Sequence, residues 1–296
     1  MRVFVAGATG AIGRRLVPQL VAEGHEVTGS TRSEAGLKLL RSYGARGVQV
    51  DVFEVAAVRD ALIAAEPDVV VHQLTDLQRG SPADNGRIRR VGTRNLITAA
   101  RQAGVRRIVA QSMAWAYLPG DGPATETTPL DVNAPPPRGS TVDGIRALED
   151  AAATLEEHVV LRYGLFYGPG TWYHRDGLAA EVLRSPTPSE HPAAGLLGGM
   201  VADDGVTSFV HIDDAARAAV QALQWPSGPV NIVDDEPAPA GEWLTAFAEE
   251  IGAPVPTRVS GRREWQRGAD NSLARSRGWK PHFASWREGF RTGLSQ

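Results

Sequence analysis

Gly7-Ala-Thr-Gly10-Ala-Ile-Gly13 follows the first apolar run of the chain, residues 3–6, and leads directly into an amphipathic stretch, residues 12–23. A strand, a tight glycine turn and a helix in that order leave little choice of fold. The helix N-terminus brings unsatisfied N–H groups and the positive end of its dipole to the strand tip, where a diphosphate can sit. Gly7 lets the strand turn sharply, Gly10 lets backbone approach a pyrophosphate, and Gly13 lets the helix lie close to the sheet. The spacing is G-x-x-G-x-x-G rather than the commoner G-x-G-x-x-G. Its weight comes from its place at the head of a βαβ series, which favours a bound dinucleotide over a merely structural turn.

The rest of the first half continues that series. Strands are expected at residues 26–31, 48–50, 68–72, 107–111 and 159–162, and helices at 34–43, 55–65, 87–103 and 142–155. The unbroken Val69-Val70-Val71 is typical of a strand buried on both faces in a parallel sheet. A Pro/Gly-rich loop spans 118–138. Short strands return at 208–212 and 230–233 around a helix at 214–223, and later helices are expected at 242–251 and 286–292. The fold class is α/β: a Rossmann-type, doubly wound parallel sheet with a small C-terminal substrate-binding lobe. Residues 1–170, with the sheet returns near 208–234, form the dinucleotide-binding domain. Residues 171–207 and 235–296 form the lobe.

The second strand bears on which dinucleotide. An acidic residue at its end normally accepts the ribose 2′-hydroxyl of NAD. Here the segment reads Gly29-Ser-Thr-Arg32-Ser33, with no carboxylate before Glu34. Arg32 can instead hold a 2′-phosphate, which favours NADPH over NADH; the alternative is a solvated surface arginine. Asp51 and Val52, after the third strand, belong either beside the adenine or to a helix cap.

Composition narrows the function further. A net charge of −3 supplies no basic field for nucleic acid. Zero cysteines exclude disulfides, thiol nucleophiles and thiolate metal sites, and no metal site is expected. The first residues enter a strand pattern rather than a signal peptide, and no 18-residue apolar run is present, so a cytoplasmic protein outside the membrane is expected. There are 29 arginines but just two lysines, Lys38 and Lys280. That bias reads as a GC-rich genome, so a single arginine carries weight only with a positional reason.

The glycine turn, Val71-His-Gln-Leu-Thr75, Gly92-Thr-Arg-Asn-Leu96, Leu161-Arg-Tyr-Gly-Leu-Phe-Tyr-Gly-Pro-Gly170 and Phe209-Val-His-Ile-Asp-Asp214 together resemble the extended or atypical branch of the short-chain dehydrogenase/reductases, whose relatives include NAD-dependent epimerase/dehydratases. The resemblance covers essentially the whole chain. It implies pyrophosphate contacts from Gly7, Thr9, Gly10, Ala11, Ile12 and Gly13, a 2′-phosphate contact from Arg32, and Asp51 and Val52 near adenine. Gln73, Leu74, Thr75 and Gln111 would line the ribose and nicotinamide, with Tyr163, Gly164 and Phe166 beside the carboxamide. It also implies a homodimer through residues 87–103 and 142–155.

That family usually carries a Ser or Thr after strand five and Tyr-x-x-x-Lys on the next helix. Here the three positions become Met113, Thr141 and Ile145, and neither lysine lies four residues after a tyrosine. Thr141 is far less acidic than tyrosine, with its pKa of about 10, and Ile145 cannot lower any neighbour's pKa. The proton relay is gone. A positioned acid or base contributes about 10²–10⁴-fold, whereas holding donor and acceptor in contact contributes about 7–11 kcal/mol. Hydride transfer survives if the proton comes from elsewhere.

Reduction of a ketone needs a proton donor, and a substrate phenol beside that ketone, or water, can be that donor. The expected cleft segments carry Met113, Trp115, Tyr117, Phe166, Trp172 and Tyr173, a lining suited to a flat polycyclic ligand; ordinary core is the alternative. His174 is an outside proton donor, and His211 reads as structural. The expectation is an NADPH-dependent ketoreductase of a polycyclic aromatic ketone, resembling the reductases that tailor angucyclinone polyketides in antibiotic biosynthesis. A non-catalytic dinucleotide sensor and a redox-neutral isomerase or lyase are the rivals.

Overall fold

The computed structural model describes residues 1–76 and 81–295. Along the chain run β1 (Arg2–Ala6), α1 (Gly13–Ala22), β2 (Glu26–Thr31), α2 (Glu34–Ser42), β3 (Arg46–Gln49), α3 (Val55–Ala65) and β4 (Val69–His72). Then come α4 (Pro82–Arg87), a π turn (Ile88–Gly92), α5 (Thr93–Gln102), β5 (Arg107–Met113), α6 (Arg138–Ala152) and β6 (Glu157–Tyr163). The remainder holds β7 (Leu165–Tyr167), α7 (Leu178–Arg184), β8 (Val206–Thr207), β9 (Phe209–His211), α8 (Ile212–Gln221), β10 (Gly228–Ile232), β11 (Ala238–Pro239), α9 (Ala240–Glu250), α10 (Ser272–Ser276) and α11 (Trp286–Thr292).

The main sheet has seven strands in the order β10-β6-β5-β4-β1-β2-β3. β1 pairs in parallel with both β2 and β4, so the chain winds outward to β3 and then returns to the other side of β1. That reversal is the topological switch point, and ligands of such sheets bind at the strand C-termini beside it. Here those ends are Ala6, running into Gly7, and His72, running into Gln73. Phe4, Val70 and Ile108 point to one face, where Leu62, Leu96, Ile97 and Leu148 cover them. Burying each such side chain contributes about 1.5–3 kcal/mol, which makes the sheet a stiff base for the turns at its edge.

The chain divides into two compact units. The first comprises Met1–Met113, Leu130–Arg162 and Ala216–Val230; the second comprises Ala114–Pro129, Tyr163–Ala215 and Asn231–Gln296. The loop Ala114–Pro129, expected in the dinucleotide-binding part, belongs to the second unit. The helix expected over 87–103 is a compound one. It starts at Pro82, where Ser81 caps it in a capping box with Asp84, and a π turn interrupts it before α5. The helix expected over 142–155 starts earlier, at Arg138. Among the described residues, no helix is long and apolar enough to cross a membrane.

Candidate active site

The glycine turn has the geometry its sequence demands. Gly7 has φ +88°, and a Cβ there would fall 2.5 Å from the Gln73 carbonyl oxygen. A Cβ on Gly13 would fall 2.4 Å from the Gly7 oxygen, so α1 lies hard against the turn. Both close approaches are backbone against backbone and cannot relax by a rotamer change. Among the described residues, the N–H groups of Ala11 and Ile12 meet no protein acceptor. The first turn of α1 holds no acidic side chain and no side-chain cap. An anion-sized cradle with free donors and an uncompensated dipole end is what a diphosphate requires. The residues fit a dinucleotide.

Further along the same edge, Thr9 and Thr31 share a hydroxyl–hydroxyl bond of 3.3 Å, and Ser33 caps α2 by accepting from the Gly36 N–H at 3.1 Å. Arg32 is exposed, and its guanidinium meets Asp76 at 3.0 Å. Asp51 accepts from the Phe53 N–H at 3.0 Å, which is a turn-capping role, and Val52 is half-buried beside Gly92.

At the end of β4, His72 is fully buried and organises the next turn. Its Nδ1 accepts the Leu74 N–H at 3.2 Å, and its Nε2 lies 2.8 Å from Thr93 Oγ1. The Thr93 hydroxyl donates in turn to the Ile88 carbonyl at 3.4 Å. These roles assign the neutral tautomer with the proton on Nε2. Burial pulls its pKa down to about 4, against a smaller upward effect of backbone hydrogen bonding. One neutral imidazole thus ties the Gln73–Leu74 turn to the π turn. Gln111, at the end of β5, donates from Nε2 to the Leu74 carbonyl at 2.6 Å, and Thr75 is exposed just beyond.

The positions of the missing relay are occupied as the sequence reads. Met113 is half-buried at the end of β5, Thr141 is half-buried on α6, and Ile145 is buried on the same helix. Ser112 is no substitute for the lost hydroxyl. It donates to Glu149 at 2.5 Å, and Glu149 is also gripped by Arg162 through bonds of 3.0 and 2.6 Å. This trio, with Ser112 and Arg162 buried and Glu149 half-buried, holds β5, α6 and β6 together and leaves Ser112 no free role.

In the second unit, Tyr163 is buried and its hydroxyl donates to the Ala215 carbonyl at 3.4 Å, while the half-buried Phe166 ring packs on it at 5.2 Å. A Cβ on Gly164 would fall 2.7 Å from the Ser208 oxygen. Trp115 is half-buried against Trp265, with ring centroids 6.2 Å apart. Two residues expected to face substrate are placed in the core instead. Tyr117 donates its hydroxyl to Asn231 and is buried, because Asn231 also ties down the Ala124 and Asp270 carbonyls. Tyr173 is enclosed by Phe209, Trp243 and Phe247. His174 is half-buried and accepts the Asp176 N–H at 3.3 Å; burial lowers its pKa despite nearby Asp176. His211 is structural, with its Nε2 3.1 Å from the Gly293 carbonyl.

Residues 3–233 match the family model described as the NAD dependent epimerase/dehydratase family. The chain belongs to that family. A Streptomyces relative, 3-diazoavenalumate denitrifying reductase, is 43% identical over 98% of this chain and 99% of its own. UDP-glucose 4-epimerase of Mycolicibacterium smegmatis is 28% identical over 96% of this chain and 95% of its own. Among solved structures, UDP-glucose 4-epimerase of Thermus thermophilus in complex with NAD superposes with a TM-score of 0.72 at 26% identity, covering 99% of this chain and 98% of that one. The chain is therefore a nicotinamide-dependent enzyme of oxidoreductase/epimerase type, and its reductase-named relative makes an NAD(P)-dependent reductase the supported class. His72 and Glu149 carry no chemical signal in the sequence that gives them a role; each becomes a positioning residue when the fold brings Thr93 or Arg162 to it.

Proposed function

We propose that this enzyme is an NADPH-dependent reductase of an oxygenated aromatic substrate, and that the reduction takes no proton from the protein. The observation that carries the reading is the relay itself: Met113, Thr141 and Ile145 stand where a hydroxyl, a phenol and an ammonium group would serve. The cofactor supplies a hydride when bound. Ala11 and Ile12 would hold its diphosphate, Arg32 its 2′-phosphate, and Asp51 and Val52 would flank the adenine. Gln111, through Leu74, would fix the ribose turn, with Thr75 beside it and Tyr163, Gly164 and Phe166 near the carboxamide.

Proton count then selects the substrate. A ketone consumes one hydride and one proton. An aryl diazonium carbon consumes a hydride alone: Ar–N₂⁺ + H⁻ gives Ar–H and N₂, the carbon–nitrogen bond breaking as dinitrogen leaves. A site without a relay suits the second reaction, and the name of the Streptomyces relative points to diazo chemistry. The first choice is therefore reductive loss of dinitrogen from an aromatic diazo compound. The second is reduction of a polycyclic aromatic ketone whose neighbouring phenol supplies the proton. The half-buried Trp115 and Phe166 favour a flat ring in either case.

The test is NADPH absorbance, with headspace analysis for dinitrogen, using an aryl diazo carboxylate and a ketone panel with the neighbouring phenol free or methylated. Oxidation with stoichiometric dinitrogen supports the first choice. Oxidation confined to ketones with free phenols supports the second. Turnover of methylated ketones as fast as free ones contradicts the second choice, and no oxidation with any member contradicts the reading.

A further inference from the structure

Arg89 lies inside the π turn and is buried, with 9% of its surface exposed. Its neighbour Arg90 reaches Asp143 at 3.9 Å, but Arg89 directs Nη2 at the Met113 sulfur, 3.5 Å away. A thioether is a weak acceptor for a guanidinium with five donors. Among the described residues, no carboxylate pairs with it. Burial, and then Arg90, pull its pKa down to about 10, so it stays positive at neutral pH. A buried cation without a counter-ion is a standing cost to the fold.

The surroundings aim this cation rather than merely tolerate it. The extra residue of a π turn changes the direction in which a helical side chain leaves, and such turns recur at functional sites. This one is clamped by Thr93 on the Ile88 carbonyl and by His72 behind it. The Arg89 stem passes Gly144 of α6, where an added Cβ would come 3.6 Å from its Cδ. Gly144 is next to Ile145 and three residues after Thr141. The stem thus passes α6 at Gly144, and the guanidinium ends at Met113, the first of the three vacated relay positions.

We propose that Arg89 is a substrate-binding residue that holds an oxyanion, phenolate or carboxylate, carried by the aromatic substrate. The aromatic identity of that substrate rests on the reductase reading above; the demand for an oxyanion rests on the buried, acid-free guanidinium. Its planar fork matches a carboxylate with two parallel bonds and a phenolate with one or two. Neutralising an oxyanion conjugated to the reacting carbon also removes charge that would repel an incoming hydride.

The probes are 4-nitrophenol, 4-nitrobenzoate and the neutral 4-nitroanisole, titrated into the cofactor-loaded enzyme by calorimetry and absorbance. The wild type should bind at least one oxyanion about 10- to 100-fold more tightly than the ether, and bound nitrophenol should show the phenolate spectrum. Which oxyanion wins identifies the group recognised. Arg89→Met should abolish the preference while keeping ether affinity and an equal or higher melting temperature, and Arg89→Lys should keep part of the preference. An equal affinity of the wild type for oxyanions and ether overturns the proposal, as does a preference that survives in Arg89→Met. If Arg89→Met fails to fold, the wild-type comparison and Arg89→Lys decide. Reductase turnover without any oxyanion preference defeats the Arg89 proposal alone; an Arg89-dependent preference without turnover defeats the reductase reading alone.

Discussion

Acidification from pH 7 to pH 4 should remove about 3 kcal/mol of stability through His72 alone. The group's pKa falls from 6.5 in the open chain to about 4 when folded, because burial disfavours the charged ring. A difference of that size, at about 1.4 kcal/mol per unit, sets the limit. The folded state binds this proton more weakly, so the contribution is fully present above pH 6.5. It is lost progressively as pH falls through 6.5 towards 4. The structural reason is that a protonated Nδ1 could no longer accept the Leu74 N–H, and the imidazolium would be buried without a counter-charge. Urea unfolding at several pH values in that window, on the wild type and on His72→Asn, isolates the term, since other titrating groups cancel in the difference. Asn keeps an acceptor for Leu74 but does not titrate. The difference in stability between the two should shrink by about 3 kcal/mol on going from pH 7 to pH 4. An identical pH slope in both proteins, or a wild-type His72 that titrates near 6.5 by imidazole NMR, would refute the reasoning.

Three further outcomes are expected. Gly7→Ala must place a side chain at φ +88° and 2.5 Å from the Gln73 oxygen, so it should cost about 2 kcal/mol or more and abolish NADPH binding, read by melting temperature and cofactor fluorescence. Arg32→Ala should weaken NADPH binding by about 10- to 100-fold, the worth of charge-assisted bonds, and leave NADH binding unchanged; equal losses would remove Arg32 from the 2′-phosphate site. Ser112→Ala should lower stability by about 1–3 kcal/mol through its bond to Glu149, yet keep turnover, because that hydroxyl is committed to the trio with Arg162.

The site was legible where local chemistry decides the backbone. Gly7 and Gly13 stand where no Cβ fits, and the run Val69–Val71 is apolar because β4 is buried on both faces. The start of α4 was equally written, in Ser81-Pro82 followed by Asp84, although periodicity alone points to residue 87. Long-range pairing was not legible. Tyr117 and Tyr173 have the composition of a cleft lining, and only the partners Asn231, Trp243 and Phe247 show them to be core. Arg89 was hidden twice, once among 29 arginines and once by a π turn that shifts its direction without changing the helical pattern.

Single-turnover reaction with NADPH deuterated at the transferred position, using an aryl diazo carboxylate and mass detection of both product and gas, tests the central claim most directly. The account predicts one deuterium in the arene and one dinitrogen per NADPH consumed. It also predicts a rate that Thr141→Ala and His174→Asn leave unchanged, since neither residue donates a proton. Deuterium absent from the product, or a rate that collapses in either variant, would contradict a reductase that works without a proton from the protein.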